Sequence, residues 1–101
     1  MEIKVPKSIK VGGYDFEVEF SPNPKRLRVP NFKGDCSITE QQINVDTAFG
    51  QQHIDETFLH EILHGVNLIY NSDGLSEEQI DRMGHGLHQV FGQLGINFVQ
   101  E

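Results

Sequence analysis

Residues 57–66 read TFLHEILHGV, and their apolar positions recur at the three- and four-residue spacing of a helix. Within this stretch, His60, Glu61 and His64 form the pattern His-Glu-x-x-His. Residues four apart lie one turn apart on the same face of a helix, so the two imidazoles can reach one ion. Both histidines fall outside the apolar arc. The stretch therefore predicts an amphipathic helix that carries a pair of histidines away from its core face.

This pattern suits a catalytic zinc site. His60 and His64 would supply two neutral nitrogen ligands, a third ligand would come from elsewhere, and one position would stay open for water. Glu61 lies at the edge of the histidine face, where its carboxylate can reach that water without binding the ion. The competing interpretation is a helix with two solvated histidines. Because the motif occupies the polar face of a strongly amphipathic helix, we favour a site for one Zn²⁺ per chain.

Length and composition bound the class of protein. The 101 residues suit one small domain, and 37% hydrophobic with 23% charged residues is typical of a soluble globular chain. No apolar run approaches the ~18–20 residues that cross a bilayer, and the N-terminus lacks the apolar segment of a signal peptide. We therefore expect a cytoplasmic protein without a membrane partner.

The single cysteine, Cys36, excludes an internal disulfide. We interpret it as a small, semi-buried residue rather than a thiolate ligand or an inhibitory switch.

The charge is negative and unevenly distributed. A formal net charge of −7 argues against a nucleic-acid-binding protein. Residues 1–33 carry seven basic and four acidic groups, whereas residues 34–101 carry one basic and eleven acidic groups. We interpret the acidic half as solvated helix surface. The alternative is an electrostatic preference for a basic substrate segment.

The first part of the chain predicts β-structure. Residues 8–11 and 14–20 flank the turn signal Gly12-Gly13, and residues 14–20 alternate apolar and acidic side chains, which indicates a β-hairpin. Residues 25–35 alternate basic and apolar side chains but are interrupted by proline and glycine. They could form a poor edge strand, but a loop that crosses the sheet is the better interpretation.

Two further short strands are expected before the histidine helix. Residues 36–40 and 42–46 have the required pattern, and the second strand is the better of the two, with Ile43 and Val45 pointing inward. Residues 1–46 are therefore predicted to be mainly β-sheet.

Two helices complete the predicted fold. The metal-binding helix covers residues 52–70, and residues 71–75 break it. A second helix covers residues 76–94, with Ser76 as its N-cap and two glutamates in its first turn. The sequence therefore predicts an α+β fold, in which a small twisted antiparallel or mixed sheet is followed by two helices in a single domain, residues 1–101.

The third metal ligand is expected on the second helix. At about 100° per residue, Glu77 lies on the flank of the apolar stripe and is better placed than Glu78. Asp81 follows Glu77 by four residues and could hold a histidine N–H from behind. A tight antiparallel hairpin of the two helices gives a different answer, since His88 or Asp81 would then lie level with the histidines. These alternatives stay open at the level of the sequence.

The motif His60-Glu61-x-x-His64, followed after twelve residues by Glu77-x-x-x-Asp81, resembles the gluzincin pattern of zinc metallopeptidases. The short spacer and small size resemble the minimal zincins and the short phage-type proteins related to ImmA/IrrE peptidases. The resemblance implies a zincin-like fold in which His60, His64 and Glu77 bind Zn²⁺ and Asp81 supports a histidine. It also implies that residues 43–46 form the edge strand along an extended peptide substrate. If the chain is phage-encoded, its location would be the host-cell cytoplasm.

The expected function is a zinc-dependent endopeptidase that acts on a peptide or protein. The zinc would lower the pKa of its bound water from about 15.7 toward ~7, and Glu61 would act as the general base. His88, His85 and Tyr70 are candidate donors to the transition-state oxyanion, and the sequence does not choose among them. Three alternatives remain: a metal-dependent hydrolase of non-peptide substrates, a zincin-scaffold binding or regulatory module with little activity, and a structural zinc site. The last is disfavoured because structural zinc normally has four protein ligands, often cysteines.

Overall fold

The structure is a computed structural model that describes residues 1–22 and 33–101. The elements in chain order are β1 (Glu2–Val5), β2 (Ser8–Val11), β3 (Tyr14–Ser21), β4 (Gly34–Ser37), β5 (Gln42–Asp46), a 3₁₀ turn (Thr47–Phe49), α1 (Gln51–Tyr70), α2 (Glu77–Gln93) and β6 (Asn97–Gln100). The predicted α+β class, with mixed β-structure followed by two helices, is confirmed.

Four strands form the main sheet in the order β2-β3-β5-β4. β2 and β3 are the predicted antiparallel hairpin, β5 runs parallel to β3, and β4 runs antiparallel to β5. The hairpin turn requires glycine at Gly12, where φ is +61° and a Cβ would lie 2.5 Å from Cγ2 of Ile69. The turn therefore packs directly against the end of α1.

The prediction that residues 43–46 form an edge strand is wrong. β5 lies inside the sheet between β3 and β4, and all five of its residues are buried. Ile43 and Val45 point inward, as predicted, and are fully buried. Among the described strands, the one at the edge beside α1 is instead β4, which ends at Ser37, before the positive φ of 52° at Gln41. Of the ambiguous stretch 25–35, residues 25–32 lie outside the described residues, and Gly34 and Asp35 belong to β4.

A second, two-stranded sheet was not predicted. β1 and β6 pair in parallel, joining the two ends of the chain. The backbone N–H of Phe98 in β6 donates to Asp55 Oδ1 of α1 at 2.7 Å. The Gln100 side chain accepts from the Phe20 N–H at 2.9 Å and donates to the Val18 carbonyl at 2.7 Å, which continues the hydrogen bonding of β3. β6 therefore ties the small sheet to both α1 and the main sheet.

The core lies between the main sheet and α1. Phe16, Ile43 and Val45 of the sheet are fully buried, and they belong to one cluster with Phe58 and Leu59 of α1. α2 packs on α1 through Ile80 and Gly84, its only buried residues. A Cβ at Gly84 would lie 3.8 Å from the His60 Cα, so this glycine marks a close approach of the two helices.

Both helices match their predicted positions within one residue. Ser76 caps α2 in a capping box with Gln79, whose side chain accepts from the Ser76 backbone N–H. Neither helix in the described parts of the chain combines the length and the apolar character that a membrane-spanning segment requires.

Candidate metal centre

Three side chains from the two helices converge on one point. His60 Nε2 lies 3.0 Å from Glu77 Oε1, and His64 Nε2 lies 3.0 Å from Glu77 Oε2. The two Nε2 atoms are themselves 3.0 Å apart. α1 supplies both histidines from successive turns, and the first turn of α2 supplies the glutamate. The structure thus brings together the residues that the sequence favoured as metal ligands.

Asp81 lies behind this group. Its Oδ1 atom is 3.1 Å from His60 Nδ1, so the ring donates its Nδ1–H to the carboxylate. The other ring nitrogen of His60, Nε2, faces a carboxylate oxygen of Glu77 and the Nε2 atom of His64. Two imidazole nitrogens and the two oxygens of one carboxylate are thus joined by contacts of 3.0 Å, an arrangement that can hold a cation. The aspartate–histidine pair is also the arrangement that orients histidine ligands of zinc.

The donor set fits zinc. Two imidazole nitrogens and one carboxylate oxygen are typical of a catalytic zinc site with a fourth position open. Ligands of a tetrahedral zinc, each at about 2.0–2.1 Å from the ion, lie about 3.3 Å from one another. One ligand atom from each of the three residues lies within 4.8 Å of the others, so the three side chains are within reach of one ion. The Glu77 side chain is 64% exposed, so the centre is open to solvent on that side.

Asn67 explains how Glu77 reaches the histidines. This buried asparagine, one turn after His64, accepts from the Leu75 N–H at 3.0 Å and donates to Asp73 Oδ1 at 3.1 Å. Its backbone carbonyl also accepts from the N–H groups of residues 71 and 73. The connecting loop therefore folds back over the last turn of α1, and α2 begins level with His64.

This offset determines which of the candidate residues lie beside the two histidines. The helices do run antiparallel, but His64 faces Glu77, and His60 faces both Glu77 and Asp81. A tight hairpin would have placed residues near 83–88 there, so His88 is not brought to the centre. The sequence did not identify Asn67 as the residue that sets the offset. Its only signal is a polar residue on the inner side of the last turn.

Glu61 is the buried acid of the site. It is 6% exposed and lines the same cleft as His60, His64 and Glu77. Burial, followed by the negative charges of Asp35, Glu77 and Asp81, raises the pKa of Glu61 to about 8. A carboxyl group in such surroundings is poised for proton transfer near neutral pH.

A cleft of about 660 Å³ runs between α1 and the edge strand β4. Its walls comprise residues 33–36, the polar face of α1 and Glu77. Gly34 forms the closest approach, since a Cβ there would lie 2.5 Å from Thr57 Cγ2 and 3.4 Å from Glu61 Cγ. The glycine lets the strand pass directly beside the motif.

Cys36 also lines this cleft, in the middle of β4. Burial, with the nearby charges of Glu61 and Asp35, raises the pKa of its thiol to about 12. A thiol with so high a pKa stays protonated at neutral pH, which argues against a thiolate ligand. Its partial burial agrees with the interpretation as a small packing residue.

The remaining candidates lie outside the metal centre. Glu78 pairs with Arg82 on the exposed side of α2. His85 and His88 both face Glu56, at distances of 2.8 and 3.7 Å. Glu56 precedes His60 by one turn of α1. Tyr70 is 70% exposed at the far end of α1. None of the three proposed oxyanion donors lines the cleft, although Glu56, the partner of the two histidines, does.

Comparisons of this chain with protein-family models, with curated proteins and with solved structures found no match.

Proposed function

We propose that this protein is a zinc-dependent endopeptidase. The observation that carries the proposal is the convergence of His60, His64 and Glu77 within one cleft that also contains a buried Glu61. A structural zinc site would not account for the buried acid beside an open coordination position. The resemblance of the spacing to gluzincins supports the same assignment.

The roles of the residues follow from their positions. His60, His64 and Glu77 would hold the ion, and Asp81 would orient the His60 ring. When bound, zinc supplies a Lewis acid for the scissile carbonyl and acidifies the attacking water. The Glu61 carboxylate accepts the proton of that water and returns it to the leaving amine. A positive charge nearby favours the ionised form of Glu61, as a general base requires.

The edge strand favours a peptide over a small-molecule substrate. β4 pairs with β5 on one side, and no other strand of the described chain pairs with its opposite edge. An edge strand that runs along a cleft can bind an extended peptide by adding a strand to the sheet. β4 would thus have the role that the resemblance to zincins implied for residues 43–46.

Zinc stoichiometry tests the metal site. We expect one zinc per wild-type chain by elemental analysis, and loss of that zinc in His64→Ala and in Glu77→Ala. Two matched controls remove the same chemical groups nearby: His85→Ala and Glu78→Ala should both retain zinc. Loss of zinc in the controls, or retention in Glu77→Ala, would contradict the ligand set.

Cleavage of a mixed peptide library tests the activity. Wild-type protein loaded with zinc should produce internal cuts detectable by mass spectrometry. Glu61→Gln should bind zinc normally but lose at least about 100-fold in cleavage rate, because its side chain cannot accept a proton. Undiminished cleavage by Glu61→Gln would exclude the proposed base. Hydrolysis of small esters or amides without any peptide cleavage would favour the non-peptide hydrolase.

A further inference from the structure

One end of the cleft carries a cation that is held in place. Lys33 immediately precedes β4, and its Nζ lies 2.9 Å from His53 Nδ1 and 5.3 Å from the centre of the Phe49 ring. An ammonium group only donates hydrogen bonds, so Nδ1 must accept and the imidazole is neutral. The Lys33 carbonyl accepts from the Asp46 N–H at 2.7 Å, which anchors the backbone. Both the backbone and the side chain of this lysine are therefore positioned.

Within residues 1–22 and 33–101, no ion pair neutralises the charge of Lys33. The chain has fifteen acidic and eight basic residues, yet no carboxylate in the described parts of the chain forms an ion pair with Lys33. It is also the only basic residue among the described residues that line the cleft. A neutral imidazole and an aromatic ring orient the ammonium without neutralising it. Two N–H groups remain available to a ligand with negative charge.

The helix geometry gives the distance from this cation to the reacting bond. His53, which holds Lys33, precedes His60 by seven residues on α1, or about 10 Å at about 1.5 Å per residue. An extended peptide advances about 3.3 Å per residue. A substrate group at Lys33 therefore lies about three residues from the scissile bond.

The strand geometry gives the direction. Gly34 lies beside Thr57, and Cys36 lies beside Gly65, so β4 runs in the same direction as α1. Antiparallel pairing is the more stable mode for an added strand. A peptide antiparallel to β4 has its C-terminal end at Lys33.

We propose that Lys33, oriented by His53, forms a subsite for a substrate carboxylate about three residues on the C-terminal side of the scissile bond. The inference rests on the proposed function, because it takes His60, His64 and Glu77 as the position of the reacting bond. The carboxylate can come from an aspartate or glutamate side chain, or from the free C-terminus of the peptide. Both sources present the same chemistry to the ammonium.

The cleavage profile of a peptide library tests the subsite. Zinc-loaded wild type should prefer cuts that are followed about three residues later by a carboxylate, by about tenfold, the effect of one charge-assisted hydrogen bond. Lys33→Gln should reduce this preference to less than about twofold. Lys10→Gln is the matched control, since it removes the same charge from the distant hairpin, where Lys10 pairs with Asp15. A second library with amidated C-termini distinguishes the two sources of the carboxylate. Its peptides have no free C-terminal carboxylate, so a preference that remains must come from an aspartate or glutamate side chain.

The subsite is overturned if wild type shows no such preference, if the preference lies on the N-terminal side of the bond, or if it persists in Lys33→Gln. A binding measurement keeps this test separate from the activity. We would use zinc-loaded Glu61→Gln and a fluorescein-labelled nonapeptide of alanine and serine with one glutamate, beside its glutamine twin and amidated forms of both. Tighter binding of a carboxylate peptide that depends on Lys33 supports the subsite even if no peptide is cleaved and the proposed function fails. Equal binding, or none, overturns the subsite.

Discussion

At the scale of single residues, Glu61 shows how position creates reactivity. Its neighbours His60 and His64 point away from the core, whereas Glu61 itself is buried between α1 and β4. The residue is largely buried and the surrounding charges are negative, so the protein makes ionisation of Glu61 unfavourable unless a cation is present. The same burial therefore costs stability in the metal-free protein and favours proton transfer when a cation is bound.

This loss of stability should make the free energy of unfolding of the metal-free protein depend on pH. The pKa of Glu61 is about 8 in the folded state against 4.5 for an ordinary glutamate. Between these values the folded state holds a proton that the unfolded state has lost, so stability falls as pH rises from about 4.5 to about 8. Glu61→Gln cannot ionise. We expect it to match wild type at pH 4.5 and to exceed it by roughly 1–4 kcal/mol at pH 8.5.

Urea unfolding in EDTA at a series of pH values measures this difference. Both proteins carry the same histidines, so the difference between them isolates Glu61. Glu2→Gln, at an exposed position of β1, is the control for loss of one negative charge. A constant difference between wild type and Glu61→Gln across the pH range would contradict the raised pKa.

Asn67 carries a second residue-scale prediction. Its side chain makes four hydrogen bonds to residues 71–75, and the loop that they fix sets the level of Glu77. Asn67→Ala should destabilise the fold by about 2–3 kcal/mol and weaken zinc binding by about tenfold or more. Asn71→Ala is the milder control, because its side chain makes only one of these bonds. The zinc affinity of each variant would be measured by calorimetric titration. An unchanged affinity in Asn67→Ala would mean that the loop does not set the geometry of the metal site.

The site could be predicted from the sequence only where its geometry is local. The four-residue spacing of His60 and His64 on one helix places their side chains together in any fold that keeps the helix. Glu77 was only the best of several candidates, because its position depends on how α2 returns across α1. That return is set by the hydrogen bonds of a single buried amide, which no periodicity reveals.

At the scale of elements, the contact between β4 and α1 shapes the cleft. A methyl group at Gly34 would lie 2.5 Å from Thr57 Cγ2 and 2.7 Å from the Asn44 carbonyl oxygen. Gly34→Ala should therefore push the strand from the helix and cost about 1–3 kcal/mol. Gly86→Ala is the control: it lies within α2, where a Cβ meets nothing, and should be neutral or stabilising by up to about 1 kcal/mol. Equal effects of the two substitutions in urea unfolding would contradict the close approach.

The elements also show which parts of a fold remain hidden in a sequence. The hairpin of β2 and β3 was predictable because a glycine turn joins two adjacent alternating segments. The strands that flank β5 in the sheet were not predictable, because its pairing with β3 joins residues far apart in the chain. β6 has only four residues, and its pairing with β1 joins opposite ends of the molecule. Such non-local contacts leave little local signal.

At the scale of the whole molecule, the metal centre would add to the contacts that hold α2, whose partly buried Leu87 and Phe91 pack against the core. Only Ile80 and Gly84 of α2 are buried, whereas Glu77 and Asp81 contact the histidines of α1. With a formal net charge of −7, the chain also gains from a bound cation among its carboxylates. Zinc is therefore expected to stabilise the docking of α2 as well as to serve chemistry.

This coupling predicts a large effect of metal on thermal stability. A ligand that binds only the folded state contributes about 2.7 kcal/mol at a free concentration of 100 Kd. For a domain of about this size, 1 kcal/mol corresponds to about 4–8 °C, so zinc should raise Tm by about 10–20 °C over the protein in EDTA. Glu77→Gln should lose most of the shift, because one ligand is weakened and α2 is no longer tied to both histidines. Glu78→Gln should keep the shift, since it leaves the ligands intact. A shift of equal size in both variants would mean that zinc binds without α2, and the two helices would then be held together by their packing and the Asn67 loop alone.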